Sequence, residues 1–157
     1  MTQQLTTKAS TDAFGHLLGA HATLTRELSA ELVATHGLTL NDYGCLLLLS
    51  RAGEEGMRRI DLANELQLSP SGITRLLDRL MDQGLVGKGE CKSDARVSYA
   101  ILTEDGLSKL RDAAPGHVEG IERRLGGALD PDELEVLTKL LRRLNEVTVE
   151  GDHCTPD

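Results

Sequence analysis

The chain has 157 residues, 39% of them apolar and 27% charged, with a formal net charge of −8; this excludes a disordered chain and a large multidomain enzyme. Its three aromatic residues, Phe14, Tyr43 and Tyr99, are too few for a base-stacking platform on single-stranded nucleic acid. Three cysteines cannot build a disulfide framework, no run nears the roughly 18 apolar residues of a membrane span, and polar Met1 to Ser10 lacks a signal-peptide core, so a cytoplasmic protein is expected.

Between Thr11 and Thr35, Phe14, Leu17, Leu18, Leu24, Leu28 and Leu32 recur at steps of three and four and predict a long first helix. Gly37 ends it, and Thr39 caps a second helix that runs through Tyr43, Cys45 and Leu46 to Leu49 and stops near Ala52-Gly53. Met57 to Ile60 reads as a short extended lead-in. Ile60, Leu62, Ala63, Leu66 and Leu68 mark a short third helix. Ser69-Pro70 then opens a fourth, with Ser as cap and Pro at the first helical position, where its missing N–H costs nothing. Ile73, Leu76, Leu77 and Leu80 form its inward face, and Gly84 closes it. From Leu85 the pattern alternates: Leu85 to Glu90 and Val97 to Ile101 predict a two-stranded hairpin with a polar tip over Cys91 to Arg96. Thr103-Glu104-Asp105 starts a long helix through Leu107, Leu110, Val118, Ile121 and Leu125. Asp130-Pro131 starts the last, with Leu134, Leu137, Leu140, Leu141 and Leu144 on one face. Residues after about Glu150 read as a tail. The domain reading is therefore 1–36 as a dimerisation helix, 37–103 as a winged helix-turn-helix, 104–150 as further dimerisation helices and 151–157 as a flexible tail.

Charge is uneven along this order. Residues 1–56 carry a net −3, residues 57–111 a net +1 and residues 112–157 a net −6. Only the middle third can approach a polyanion without strong repulsion, so any DNA contact belongs there. The fold class that follows is mainly α: a winged helix-turn-helix with a two-stranded β wing, flanked by N- and C-terminal dimerisation helices. In such a unit the second helix of the pair enters the major groove. Here that helix is Ser69 to Gln83, whose exposed positions are Ser69, Ser71, Gly72, Thr74, Arg75, Asp78 and Arg79. Small leading residues allow close backbone approach to phosphate; Arg75 is placed for a bidentate contact to guanine and Arg79 for the DNA backbone. The competing reading is a merely solvated helix face.

The stretch Asp61-Leu-Ala-Asn-Glu-Leu-Gln-Leu-Ser-Pro-Ser-Gly-Ile-Thr-Arg-Leu-Leu-Asp-Arg-Leu-Met-Asp-Gln-Gly-Leu-Val, followed by Asp94-Ala95-Arg96 and Leu102-Thr103-Glu104-Asp105-Gly106, resembles the MarR family of transcriptional regulators. The match spans roughly Leu38 to Leu110. The resemblance implies a homodimer in which the first helix and the last two interlock, holding two winged domains over a palindromic double-stranded operator. It also implies that Arg96 enters the minor groove and that Asp94 orients it. A guanidinium on a hairpin tip suits the narrow, electronegative groove, and a carboxylate two residues earlier can hold its fork. Lys88 and Lys92 add charge to the wing. The chain departs from many relatives in carrying Val97 where a second Arg follows the first, and Gly87-Lys88-Gly89-Glu90 in the preceding strand. Three or four phosphates neutralised per protomer give an expected salt slope of roughly −5 to −7.

Apart from the resemblance, the flanking helices carry apolar faces that a small winged domain cannot bury, which itself calls for a second copy. Half-sites about 10 base pairs apart, or a small multiple, follow. The resemblance further implies repression relieved by a small-molecule effector such as a phenolic or aromatic acid. His21, continuing the inward face of the first helix, and Tyr43 are the candidate effector residues; both also read as packing residues. No cofactor is expected. His16, His21, His36 and His117 lack metal-ligand spacing, so no metal site is assigned. Cys91 at the wing is the candidate redox residue, whereas Cys45 in its apolar run reads as inert. No Gly-rich phosphate loop, Gly-x-Ser-x-Gly elbow or His-Glu-x-x-His is present, so an enzyme is not expected. The alternatives are a redox- or metal-responsive regulator of the same fold, or a winged-helix adaptor that binds protein without DNA.

Overall fold

Local capping chemistry sets where the helices begin. The computed structural model describes residues 2–90 and 98–150. Within them the order is α1 (Thr2–His36), α2 (Leu40–Ala52), β1 (Met57–Arg58), α3 (Arg59–Glu65), α4 (Pro70–Asp82), β2 (Val86–Glu90), β3 (Ser98–Leu102), α5 (Glu104–Leu125) and α6 (Pro131–Glu150), with one 3₁₀ turn at Gly53–Glu55. Thr39 caps α2 in a reciprocal box: its hydroxyl accepts from Asp42 N at 3.2 Å, while Asp42 Oδ2 accepts from Thr39 N at 2.8 Å. Ser69 caps α4 through Gly72 N at 3.1 Å, with Pro70 in the first turn. Asp130 and Glu133 form the matching box at α6, at 3.0 and 2.9 Å. Helix α1 begins at Thr2 rather than Thr11 because Thr2 to Ser10 contains no Gly or Pro to stop it. That stretch is polar, so it carries no periodic signal.

The sheet is three-stranded and antiparallel in the order β1-β3-β2. The wing pair runs from Val86↔Leu102 to Glu90↔Ser98, and the predicted lead-in forms a third strand through Met57↔Ala100 and Arg58↔Tyr99. Gly56 precedes it at φ +65, where a side chain would collide with the Ala100 carbonyl. Two residues are too few to show alternation, which is why the sequence pattern missed this pairing.

Contacts divide the chain into two compact units, residues 1–117 and 118–157. The first holds a core in which Leu32, Leu38, Cys45, Leu46, Leu49, Leu62, Ile73, Leu77, Leu80, Val86, Ala100, Leu110 and Ala113 are buried. Each large side chain there contributes about 1.5–3 kcal/mol by leaving water. All four predicted inward residues of α4 are in this core. Ile60 is not: it is exposed, because α3 turns Leu62 and Ala63 inward. At the root of the wing, the Thr103 hydroxyl donates to Gly84 O at 2.7 Å and accepts from Gly106 N at 3.0 Å, and Thr103 N donates to Leu85 O at 3.2 Å. One residue thus joins the end of α4 and the first turn of α5 through its hydroxyl, and the residue leading into β2 through its backbone N–H.

The second unit contains the end of α5 and α6. On it Val118, Val136, Leu140 and Leu144 are exposed, and Leu129, Val136, Leu137 and Leu140 line an apolar hollow of about 400 Å³. Among the described residues no helix is long and apolar enough to cross a membrane.

Candidate nucleic-acid interface

Helix α4 is strongly two-faced. Ile73, Leu76, Leu77 and Leu80 are buried, which turns Ser69, Ser71, Arg75, Asp78 and Arg79 outward, with Gly72 and Thr74 half-buried at the edge. The leading turn is already organised by its own bonds. Ser69 Oγ holds the cap and lies 3.2 Å from Ser71 Oγ, and Thr74 Oγ1 donates to Pro70 O at 2.8 Å. These hydroxyls therefore sit at fixed positions around the helix start; Pro70 has no N–H, and the Gly72 and Ile73 N–H groups are already bonded to Ser69, so it is the hydroxyls and the positive end of the helix that suit a phosphate oxygen. Among the described residues Arg75 has no hydrogen-bond or ion-pair partner, so its five donors are all available.

Arg79 differs. Its guanidinium is paired with Asp42, a carboxylate on α2 that is only 3% exposed, whereas the Arg79 side chain is 47% exposed. The expectation that Arg79 reaches the DNA backbone thus meets a competing partner inside the protein.

Sequence reasoning missed Arg59. It opens α3 and its Nη1 donates to Thr74 Oγ1 on α4 at 3.4 Å, which puts a second exposed cation beside the outward face of α4. Its neighbour Arg58 is held by both oxygens of Asp61, at 2.7 and 2.9 Å. That bond holds the exposed Asp61 carboxyl below its ordinary range. The Arg58-Arg59 doublet, in the only net-positive third of the chain, was the available signal.

Lys88 is exposed on β2. Cys91, Lys92, Asp94 and Arg96, all assigned to the wing tip, lie outside the described residues.

The two candidate effector residues are not brought together. His21 does not face the core of its own chain; it is exposed, as are Phe14, Leu17 and Leu18 on the same series. It lines a cleft of about 500 Å³ between α1, the start of α2 and the α3–α4 turn, with Thr25, Arg26, Ser29, Asn41 and Gln67. Tyr43 does not line this cleft. It is buried with its ring tilted by 52° against His117, the centroids 4.4 Å apart. Burial there raises the Tyr43 phenol and lowers the His117 imidazole from their ordinary values, and the Glu31 charge partly offsets the second effect. Cys45 is fully buried, and desolvation, aided by the Asp42 charge, pushes its thiol up to about 12, the state of an inert core residue. Among the described residues no three His, Cys, Asp or Glu side chains converge as a metal site.

Comparison with known proteins places this geometry. A family model described as the MarR family matches residues 36–97. AbsC from Streptomyces coelicolor, a MarR-family transcriptional regulator of known structure, is 35% identical, with 90% of this chain and 95% of that chain covered at a TM-score of 0.78. The chain belongs to the MarR family. Its other relatives agree with that membership. The MarR-family regulator Sco3205 from the same organism, solved in complex with DNA, is 28% identical, with 85% of this chain and 84% of that chain covered at a TM-score of 0.79. The transcriptional regulator MhqR of Bacillus subtilis is 29% identical over 109 residues, 69% of this chain and 73% of its own. This MarR-family member is thus a transcriptional regulator and not an enzyme, and its helical winged fold is that of its relatives.

Proposed function

We propose that the protein is a homodimeric repressor that reads a palindromic operator in double-stranded DNA. Helix α4 lies in the major groove with Arg75 against a base edge, Ser69, Ser71, Gly72 and Thr74 guide the approach, and Lys88, Lys92 and Arg96, the last oriented by Asp94, serve the wing. The observation that carries this reading is the face of α4: an Arg75 side chain with no partner among the described residues, one turn beyond a hydroxyl-lined helix start, opposite four buried aliphatic residues. The complex of Sco3205 with DNA supports the same use of the fold. Dimerisation is supported within each unit by apolar residues left uncovered, Phe14 at 61% exposure in the first and Val118 at 60% in the second. In the paired form the two α4 helices are to lie about 34 Å apart, one turn of duplex.

An effector that releases DNA is part of the proposal. The cleft beside His21 and Arg26 has the size for a small molecule, with leucines and the polar groups Thr25, Asn41 and Gln67 in its lining and Arg26 as the cation that would favour an anionic one.

Gel-shift titration against the DNA upstream of its own gene, at several salt concentrations, tests the reading. Arg75→Ala is expected to cost about 1–3 kcal/mol and relax preference at one base position per half-site, while Arg96→Ala weakens binding on every sequence. Unchanged operator affinity in both variants defeats the assignment. For the effector, a thermal-shift screen of phenolic acids is followed by DNA release with each hit, and retention of the response in the double variant His21→Ala/Tyr43→Phe removes the effector role of that pair.

A further inference from the structure

We infer that Asp42 is a positioning residue for the DNA-reading helix, acting through Arg79; this rests on the reading of α4 as the helix that enters the groove. The carboxylate is buried, and each of its oxygens has one partner. Oδ2 accepts from Thr39 N and closes the cap of α2, and Oδ1 accepts from the Arg79 guanidinium on α4. A buried carboxylate left with an open oxygen is costly, so Asp42 is satisfied only when α4 stands at one rotation and one height against α2. That rotation is the one that turns Arg75, four residues before Arg79, outward on the same stripe. Tyr43, Cys45 and Leu46, which follow Asp42 on α2, are buried, so the α2 end of the pair is anchored in the core. Arg79 accordingly serves as a strut with its charge balanced inside the protein, and contributes no counterion release of its own.

The test separates a strut from a phosphate contact. Asp42→Asn keeps an oxygen for Thr39 N and removes the charge; Arg79→Gln removes the other partner; the double variant leaves no buried charge unpaired and serves if either single variant loses its circular-dichroism melt. Operator and scrambled duplexes are titrated by fluorescence anisotropy over a range of salt, with Arg75→Ala alongside. The expected result for Asp42→Asn is operator affinity weakened about tenfold while scrambled-DNA affinity holds or tightens, because Arg79 is released to bind phosphate. Arg79→Gln is expected to leave the salt slope unchanged, and the double variant to bind the operator no more weakly than Asp42→Asn alone. The inference is overturned if Arg79→Gln flattens the slope by about two per dimer, the signature of a lost phosphate contact in each protomer. It is equally overturned if Asp42→Asn weakens both duplexes in parallel, or neither. Should wild type fail to prefer the operator and Arg75→Ala bind both duplexes like wild type, it is the assignment of α4 as reader that fails; loss confined to Arg75→Ala removes only the strut.

Discussion

Replacing Gln67 by glycine tests the turn that joins α3 to α4. Gln67 stands at φ +52, the one described residue other than glycine with positive φ. The bonds around it are those of a Schellman end: Leu68 N donates to Ala63 O at 2.8 Å, and Gln67 N to Asn64 O at 3.2 Å. The end of α4 repeats the geometry with a glycine, Leu85 N to Leu80 O and Gly84 N to Met81 O, both at 2.9 Å, with Gly84 at φ +72. A residue bearing Cβ pays roughly 1–2 kcal/mol to hold the left-handed conformation. Glycine removes that cost but gives back about 0.5–1 kcal/mol through the greater freedom of its unfolded chain. Gln67 is exposed, so little packing is lost. The net expectation for Gln67→Gly is a gain of about 0.5–1 kcal/mol, or about 2–3 °C in melting temperature. Gln67→Ala separates backbone from side chain, because alanine keeps the strain and loses only the amide; it is expected to melt at or below wild type. Both are read by urea denaturation and calorimetry. A glycine variant no more stable than the alanine variant refutes the argument, since the two differ only where the backbone term acts.

Gly106→Ala places a methyl group against the Leu85 carbonyl and the Leu102 side chain at the first turn of α5, and is expected to destabilise by about 1–3 kcal/mol or more, read by urea midpoint. Cys45, studied with Cys91 and Cys154 changed to Ser, is expected to resist an aromatic disulfide reagent in the native state at pH 8 and to react on unfolding; fast native labelling contradicts its raised value. Since the folded thiol titrates above its ordinary value of 9.0, the stability it supports is complete below pH 9 and declines as pH climbs toward about 12. His117 has the opposite sign: its folded value lies below 6.5, so its contribution is present above that pH and fades as acid charges the half-buried ring, whose buried Nδ1 has no partner among the described residues. Between pH 7 and 5 the urea midpoint of wild type is expected to fall more than that of His117→Phe, and parallel curves contradict this.

The helix that carries the candidate site was legible because its signals are local. The Ser69-Pro70 start, the 3.6-residue spacing of Ile73, Leu76, Leu77 and Leu80, and the Gly84 stop each act over a few residues, so they survive without any knowledge of tertiary structure. The pairing of Arg79 with Asp42 was not legible, because 37 residues separate the partners and no short-range rule links a cap residue of one helix to the middle of another. The same holds for the contact of Arg59 with Thr74 and for the strand at Met57-Arg58, which is too short for periodicity to register. His21 marks a different limit. A helical stripe shows that one face is apolar, but not whether its own chain or another molecule covers it.

Thr103 gathers neighbouring chain segments at a single point, its hydroxyl bonded to Gly84 and Gly106 and its backbone N–H to Leu85. On the proposed reading, the rod that probes the wide channel of the duplex and the ribbon that straddles its narrow channel hang from the same hinge pin. Removing that hydroxyl therefore unfastens the end of α4 and the first turn of α5 in one step rather than one at a time.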